Sequence, residues 1–98
     1  MAMHVGIARV ALVLAENGSL KGKRMVVRSV TQRVRNRFNV AVAEVDTQDD
    51  WHVATLGIVC VSEDRRHANE MLSKVVAFIE SARMDADVGD VELEFVAI

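Results

Sequence analysis

The sequence predicts an α+β fold whose strands and helices follow the order βαββαβ. Four segments carry the continuous or alternating apolar runs that are typical of strands, and two carry apolar residues at helical spacing. Polar or glycine-containing turns separate most of these segments. This order is that of the ferredoxin-like fold, in which right-handed crossovers place both helices on one face of a four-stranded antiparallel sheet. We expect the spatial strand order 4-1-3-2.

The first part of the chain predicts a central strand and a helix. Residues 3–14 are almost all apolar, as a strand with two partly apolar faces requires. Asn17-Gly18 ends this run, and Ser19 is a good N-cap for the helix that follows. One arc of about 100° on that helix is expected to face the core. It consists of Leu20, Val27, Val30, Thr31, Val34 and Phe38.

The second part predicts a hairpin, a second helix and a last strand. Residues 39–46 and 52–62 read as two antiparallel strands around a polar turn at 47–50. Ser62 is the expected N-cap of the second helix. The core positions of that helix repeat at helical spacing and are Ala68, Leu72, Val75, Ile79 and Ala82. A turn is expected at 85–90, and residues 91–96 alternate as a strand with one wet face.

Length and composition predict a single domain, residues 1–98, with an apolar core. The chain has 98 residues, of which 51% are hydrophobic. The one cysteine, Cys60, excludes an intrachain disulfide and fits a reducing compartment. No apolar run reaches the roughly 20 residues of a membrane span, and no signal peptide is recognisable. We therefore expect a cytoplasmic protein without a membrane partner.

The segment from Ser19 to Phe38 is basic, although the whole chain has a net charge of -2. It holds seven of the 12 lysines and arginines, and no acidic residue occurs between Glu16 and Glu44. Such separation of charge indicates a polyanionic partner. The candidate nucleic-acid contacts are Lys21, Lys23, Arg24, Arg28, Arg33, Arg35 and Arg37. The alternative is a solvated or protein-facing side of the helix.

Several short motifs resemble the YlxP-like family of small bacterial proteins, and the resemblance covers essentially the whole chain. They are Ser19-Leu20-Lys21, Lys23-Arg24, Arg35-Asn36-Arg37-Phe38-Asn39-Val40, Ala43-Glu44-Val45-Asp46, Gln48-Asp49, Trp51, Leu56-Gly57 and Val61-Ser62. One departure is Gly22, where the family is associated with an acidic residue. The resemblance implies a ferredoxin-like fold and no established activity. Some members of the family lie beside genes for translation initiation and ribosome maturation.

The acidic hairpin next to the basic helix predicts an internal structural network. Its candidate members are Glu44, Asp46, Gln48, Asp49 and Trp51, with salt bridges from Glu44 and Asp46 to Arg35 and Arg37. The alternative for the acidic residues, together with Asp50 and His52, is a divalent cation site, although their spacing matches no calcium loop. Trp51 is expected to cap the core, the alternative being an anchor for a partner.

The two central strands are apolar on both faces, whereas two helices on one side of the sheet cover only one face. An uncovered apolar face of this size predicts a homodimer that packs sheet to sheet, or else a modest exposed patch on a monomer. The candidate residues for the dimer or partner face are Val5, Ile7, Val53, Val59 and Val61.

No motif predicts catalysis, a metal or a cofactor. The chain has no phosphate-binding glycine loop and no CxxC, its histidines lack ligand spacing, and Cys60 is expected to be buried and inert. The sequence therefore predicts a non-enzymatic accessory factor that contacts RNA or the ribosome through the first helix. The alternatives are a dimeric protein-interaction module that uses the open sheet face, and a small-ligand-binding protein or enzyme with its site at a dimer interface.

Overall fold

A computed structural model describes residues 2–82 and 85–98 and confirms the predicted element order. The elements are β1 (His4–Val13), α1 (Leu20–Arg37), β2 (Ala41–Val45), β3 (Val53–Ser62), α2 (Arg65–Ser81) and β4 (Asp87–Ala97). The strands form one antiparallel sheet in the order β2-β3-β1-β4, which is the predicted order. The fold is therefore ferredoxin-like. No helix of the described residues is long and apolar enough to cross a membrane.

The helices begin at local capping signals. The Ser19 side chain accepts a hydrogen bond from the backbone N–H of Gly22 at 3.0 Å, so the predicted N-cap of α1 is confirmed. The predicted cap of α2 is wrong, because Asp64 caps the helix through a hydrogen bond from the Arg66 N–H. Strand β3 extends through Ser62, whose hydroxyl instead accepts from the N–H of Asp64.

The core lies between the helices and one face of the sheet. Val10, Leu12, Leu56 and Ile58 of the central strands are fully buried there, as the alternation of strand side chains requires. The helices contribute Val30, Val34, Leu72, Val75 and Ile79. The opposite sheet face carries the five candidate partner residues. Of these, Val59 and Val61 are exposed, and Val5, Ile7 and Val53 are half-buried.

Strand β4 begins at Asp87 and not at residue 91, so part of the expected turn at 85–90 belongs to the strand. The register between β4 and β1 shifts between Val10 and Leu12 of β1. A β-bulge of this kind leaves extra residues on one strand without ending the pairing. The bulge contains Gly89 and Asp90, residue types that also occur in turns, and this explains the misplaced boundary.

Candidate nucleic-acid interface

Six of the seven candidate basic residues are exposed on α1. Four of them follow one flank of the helix at helical spacing and are here called the basic stripe: Lys21, Arg24, Arg28 and Arg35. Arg33 and Arg37 lie on the other flank. The Arg35 guanidinium donates a hydrogen bond to the backbone carbonyl of Val42 at 2.7 Å, so the stripe runs beside β2. The Arg37 guanidinium lies 5.1 Å from the centroid of the Phe78 ring.

The seventh basic residue, Lys23, is fully buried, and its assignment as a phosphate contact is wrong. Its ammonium Nζ lies 2.8 Å from the Glu44 carboxylate. It also donates to the carbonyls of Thr47, Asp50 (2.5 Å) and Val53 (3.0 Å). All three N–H donors of the ammonium are thereby used inside the protein. On the helical wheel Lys23 falls between Val30 and Val34, within the arc that faces the core.

Lys23 closes a set of contacts that holds the loop between β2 and β3, here called the Lys23 clasp and comprising Lys23, Glu44, Thr47 and Asp50. The Thr47 hydroxyl lies 3.2 Å from the Glu44 carboxylate and accepts from the Thr55 N–H at 2.7 Å. The Asp50 carboxylate accepts from the N–H groups of His52 and Val53. The first of these hydrogen bonds is the main cause of the lowered pKa of Asp50. The loop is therefore held at both ends.

Glu44 and Asp46 form salt bridges in the structure, but their partners are not the predicted Arg35 and Arg37. Glu44 pairs with Lys23, and the Asp46 carboxylate lies 3.8 Å from Arg9. No ion pair in the described ranges joins either arginine to these two carboxylates. Glu44 stands opposite the buried Leu56 and therefore faces the helices.

The other predicted members of the acidic network do not converge on a cation site. The Gln48 amide donates to the Glu44 carbonyl at 3.3 Å, and Asp49 is exposed. Within residues 2–82 and 85–98, no three metal-ligating side chains come together. The carboxylates of Glu44 and Asp50 are instead part of the clasp.

Trp51 is 49% exposed and lies outside the core, so the interpretation of this residue as a core cap is wrong. Its backbone carbonyl accepts a hydrogen bond of 2.6 Å from the side-chain amide of Asn17, which also donates to the Ser19 carbonyl. Lys23 binds the carbonyls of Asp50 and Val53 on either side of it. These contacts fix the backbone of Trp51 beside the segment that enters α1, and the residue stays half exposed.

The same contacts crowd the space beside Gly22. A Cβ at this position would clash with the Asn17 side-chain oxygen and would lie 3.2 Å from the Ser19 hydroxyl. Asn17 thus occupies the space into which an acidic side chain would extend to complete a capping box. In this chain the Asn17 amide instead donates to the Ser19 and Trp51 carbonyls.

Alanine normally stabilises a helix by about 1 kcal/mol relative to glycine, but Gly22→Ala is expected to give no such increase in the free energy of unfolding. The new methyl group would displace the Asn17 amide and its two hydrogen bonds. In an Asn17→Ala background the same substitution is expected to stabilise the protein by about 0.5–1 kcal/mol. Urea unfolding of the four proteins measures the difference, and equal stabilisation in both backgrounds would contradict the packing argument.

Cys60 is buried, as predicted, with its sulfur 3.7 Å from the Ala68 carbonyl oxygen. Burial raises the pKa of this thiol above its ordinary value. A buried, protonated thiol is a poor nucleophile. Cys60 therefore packs as a core residue and is not a candidate nucleophile.

Comparisons with known proteins identify the family. A family model described as "Protein of unknown function (DUF503)" matches residues 5–93. The uncharacterized protein YlxP of Bacillus subtilis (strain 168) is 39% identical over 77 residues, which cover 79% of this chain and 84% of that protein. The resemblance inferred from the motifs is thus confirmed.

Two solved structures are similar in fold. The de novo designed protein Foldit4 has a TM-score of 0.53 at 15% identity, and the alignment covers 96% of each chain. LarC2, the C-terminal domain of a cyclometallase involved in the synthesis of the NPN cofactor of lactate racemase, has a TM-score of 0.54 at 10% identity. That alignment covers 100% of this chain and 58% of LarC2. At such low identity these similarities show the fold alone.

Proposed function

Since the chain belongs to the DUF503 family of proteins of unknown function, we propose its function from its surface: it binds RNA through the basic stripe and Trp51. The observation that carries the proposal is the exposure of four basic side chains on one flank of α1 in a chain with net charge -2. Lysine and arginine contacts to phosphates supply affinity that does not depend on sequence.

The length of the stripe suits several nucleotides of a single strand. At 1.5 Å per residue, Lys21 and Arg35 are roughly 21 Å apart along the helix axis. Single-stranded nucleic acid is bound by a positively charged surface combined with aromatic rings on which bases stack. Trp51 lies on the loop held at the N-terminal end of α1 and supplies such a ring. Unstacked loops of a structured RNA are therefore the favoured target.

The test is binding of ribosomal subunits and isolated ribosomal RNA at several salt concentrations. Four phosphate contacts on a single strand predict a roughly 50-fold loss of affinity between about 50 and 200 mM salt. The variant Arg24→Glu/Arg28→Glu is expected to lose roughly tenfold or more in affinity at low salt and to show a shallower salt dependence. Arg35 is left unchanged because it binds the Val42 carbonyl.

The matched control is Arg66→Glu/Lys74→Glu, which changes the net charge by the same amount on exposed positions of α2. It is expected to bind RNA nearly as well as the unmodified protein. Equal losses in the two variants would mean that only the overall charge matters and would contradict a site on α1. If the protein bound neither ribosomal subunits nor isolated ribosomal RNA at low salt, the proposed function would be rejected.

A second candidate is a homodimer that packs open sheet face to open sheet face. One end of this face carries exposed or half-buried apolar side chains on three neighbouring strands. Val61, Val5 and Val96 stand in one row across the sheet, and Val59 and Ile7 stand side by side in the row below. Val61 and Val96 are 60% and 46% exposed. Burial of this patch would give the favourable free energy of association.

Sedimentation equilibrium over a wide range of protein concentrations tests the dimer. Val61→Lys places a charge in the patch and is expected to shift a dimer to monomers. Leu93→Lys changes an apolar residue of similar exposure on the other face of the sheet and is expected to leave the dimer intact. A monomeric unmodified protein at the highest concentrations would reject this candidate.

A further inference from the structure

Edge strand β4 has a row of apolar side chains that the helices leave partly uncovered. β4 pairs with β1 on one side, and its other edge has no neighbouring strand among the described residues. Leu93 and Val91 stand opposite the buried Ala8 and Val10, so they lie on the helix side of the sheet. They are nevertheless 44% and 38% exposed. The side chains of this row are therefore less buried than the alternation of apolar residues in β4 predicts.

A concave surface, here called the groove, lies between the Phe95 end of this row and α2. At one end, Arg65, Arg66, Asn69 and Phe95 line a depression of about 440 Å³. The guanidinium carbon of Arg65 is 4.7 Å from the centroid of the Phe95 ring. A groove between a helix and an edge strand accommodates an extended peptide. Such a peptide extends the sheet through backbone hydrogen bonds and places alternate side chains in the groove.

We infer that this groove binds an extended segment of a partner protein, which adds to the sheet as an antiparallel strand beside β4. The side chains of that segment that face Val91 and Leu93 are apolar. The residues between them lie on the other face of the sheet, beside Glu92 and Glu94, where basic side chains are favoured. Arg9 stands opposite Glu92, but its guanidinium contacts Asp46.

Two arginines lie at one end of the segment, and the guanidinium of one of them, Arg66, also pairs with Glu70 at 3.4 Å. Arg65 and Arg66 lie beside Phe95, and an antiparallel strand meets them at its N-terminal end. An acidic side chain is favoured there. The recognised pattern in chain direction is therefore acidic, basic, apolar, basic, apolar.

A second copy of this chain fits the edge poorly. If two β4 strands pair antiparallel around residues 92–94 with their apolar rows on the same face, Glu92 and Glu94 stand opposite each other or opposite their own equivalents. Like charges directly opposite each other destabilise a strand pair. Glutamates on an exposed edge also discourage self-association. These charges favour a different protein with basic residues at the alternate positions.

The experiment is an NMR titration of the isotope-labelled full chain with two capped synthetic peptides. The first contains the sequence glutamate-lysine-valine-lysine-valine between threonines, and in the second the lysines and glutamates are exchanged. The first peptide is expected to shift the amide signals of β4 and of the first turn of α2. Its affinity is expected to exceed that of the second by roughly tenfold, or about 1.4 kcal/mol.

Three variants locate the site. Leu93→Lys is expected to abolish binding of the first peptide. Arg65→Glu/Arg66→Glu is expected to reduce its preference over the second, while Glu92 and Glu94 still favour its lysines. Val61→Lys, on the opposite sheet face, is expected to change neither. Leu93 and the two arginines are exposed, so these variants should fold, and circular dichroism melts verify this. Equal affinity for the two peptides, absence of binding, or shifts confined to the opposite face would overturn the inference.

Discussion

Replacing Lys23 by methionine is expected to lower the free energy of unfolding by about 3–5 kcal/mol. Methionine fills much of the volume of the aliphatic stem but leaves the Glu44 carboxylate and three backbone carbonyls without their donor. Removing one member of a buried ion pair is costly because the other charge stays buried without compensation. The Glu44 side chain is 15% exposed, and access to water places the expected loss towards the lower end of this range.

Such a loss is a large part of the stability of a small domain. Urea and thermal unfolding measure it, and a melting temperature lower by roughly 10 °C or more is expected. The matched control is Arg24→Met, the same kind of change at the adjacent, exposed position of α1. It is expected to alter stability by no more than about 0.5 kcal/mol. A similar small effect for both variants would show that the clasp does not stabilise the fold.

A double-substitution cycle separates the ion pair from the rest of the clasp. Glu44→Gln removes the buried charge that Lys23→Met leaves unpaired. In the Lys23→Met background this second substitution is expected to restore part of the lost stability, with a coupling of about 1–3 kcal/mol. Strict additivity of the two changes would mean that the three carbonyls, and not the carboxylate, account for the role of Lys23.

Replacing Trp51 by alanine is expected to lower RNA affinity roughly 5- to 150-fold, which corresponds to about 1–3 kcal/mol for one stacked base. The ring is half exposed and outside the core, so the stability change should remain under about 1 kcal/mol. Trp51→Phe keeps an aromatic face and is expected to retain most of the affinity. Because Trp51 is the only tryptophan, the fluorescence of the unmodified protein should change when a base stacks on it.

The control for Trp51→Ala is Leu93→Ala, which removes an apolar side chain of comparable exposure from strand β4. This variant is expected to bind RNA with unchanged affinity. If Trp51→Ala also left affinity and salt dependence unchanged, the ring would have no part in binding. The basic stripe would then have to account for the whole interaction.

Element order and sheet topology were predictable from the sequence. Strand alternation and helical spacing depend on residues close together in the chain, as in the run from His4 to Val13 and in the arc of Val30 and Val34. Once six elements are placed, the handedness of crossovers leaves few arrangements of the strands. The N-cap of α1 was also local, since it needs only Ser19 and the N–H three residues later.

The candidate site was only half predictable, because part of it depends on contacts between distant segments. The exposure of Arg24 and Arg28 followed from the helical wheel. Lys23 falls within the buried arc of the same wheel but was predicted to be exposed on a flank of the helix. Its position on the wheel indicates burial, whereas the charge of Lys23 favours exposure, and the prediction followed the charge. A buried lysine requires acceptors, and these come from carbonyls 24 to 30 residues further along the chain.

The sequence by itself thus determined the fold, the basic character of α1 and the apolar open sheet face, since each depends on local pattern and composition. Only the tertiary structure decided that Lys23 and Glu44 pair within the clasp and that Trp51 is half exposed outside the core. It also decided that Leu93 is exposed on the helix side of the sheet instead of buried under a helix. In each case the environment of the side chain is set by which distant segment packs against it, and periodicity within one element carries no information about that segment.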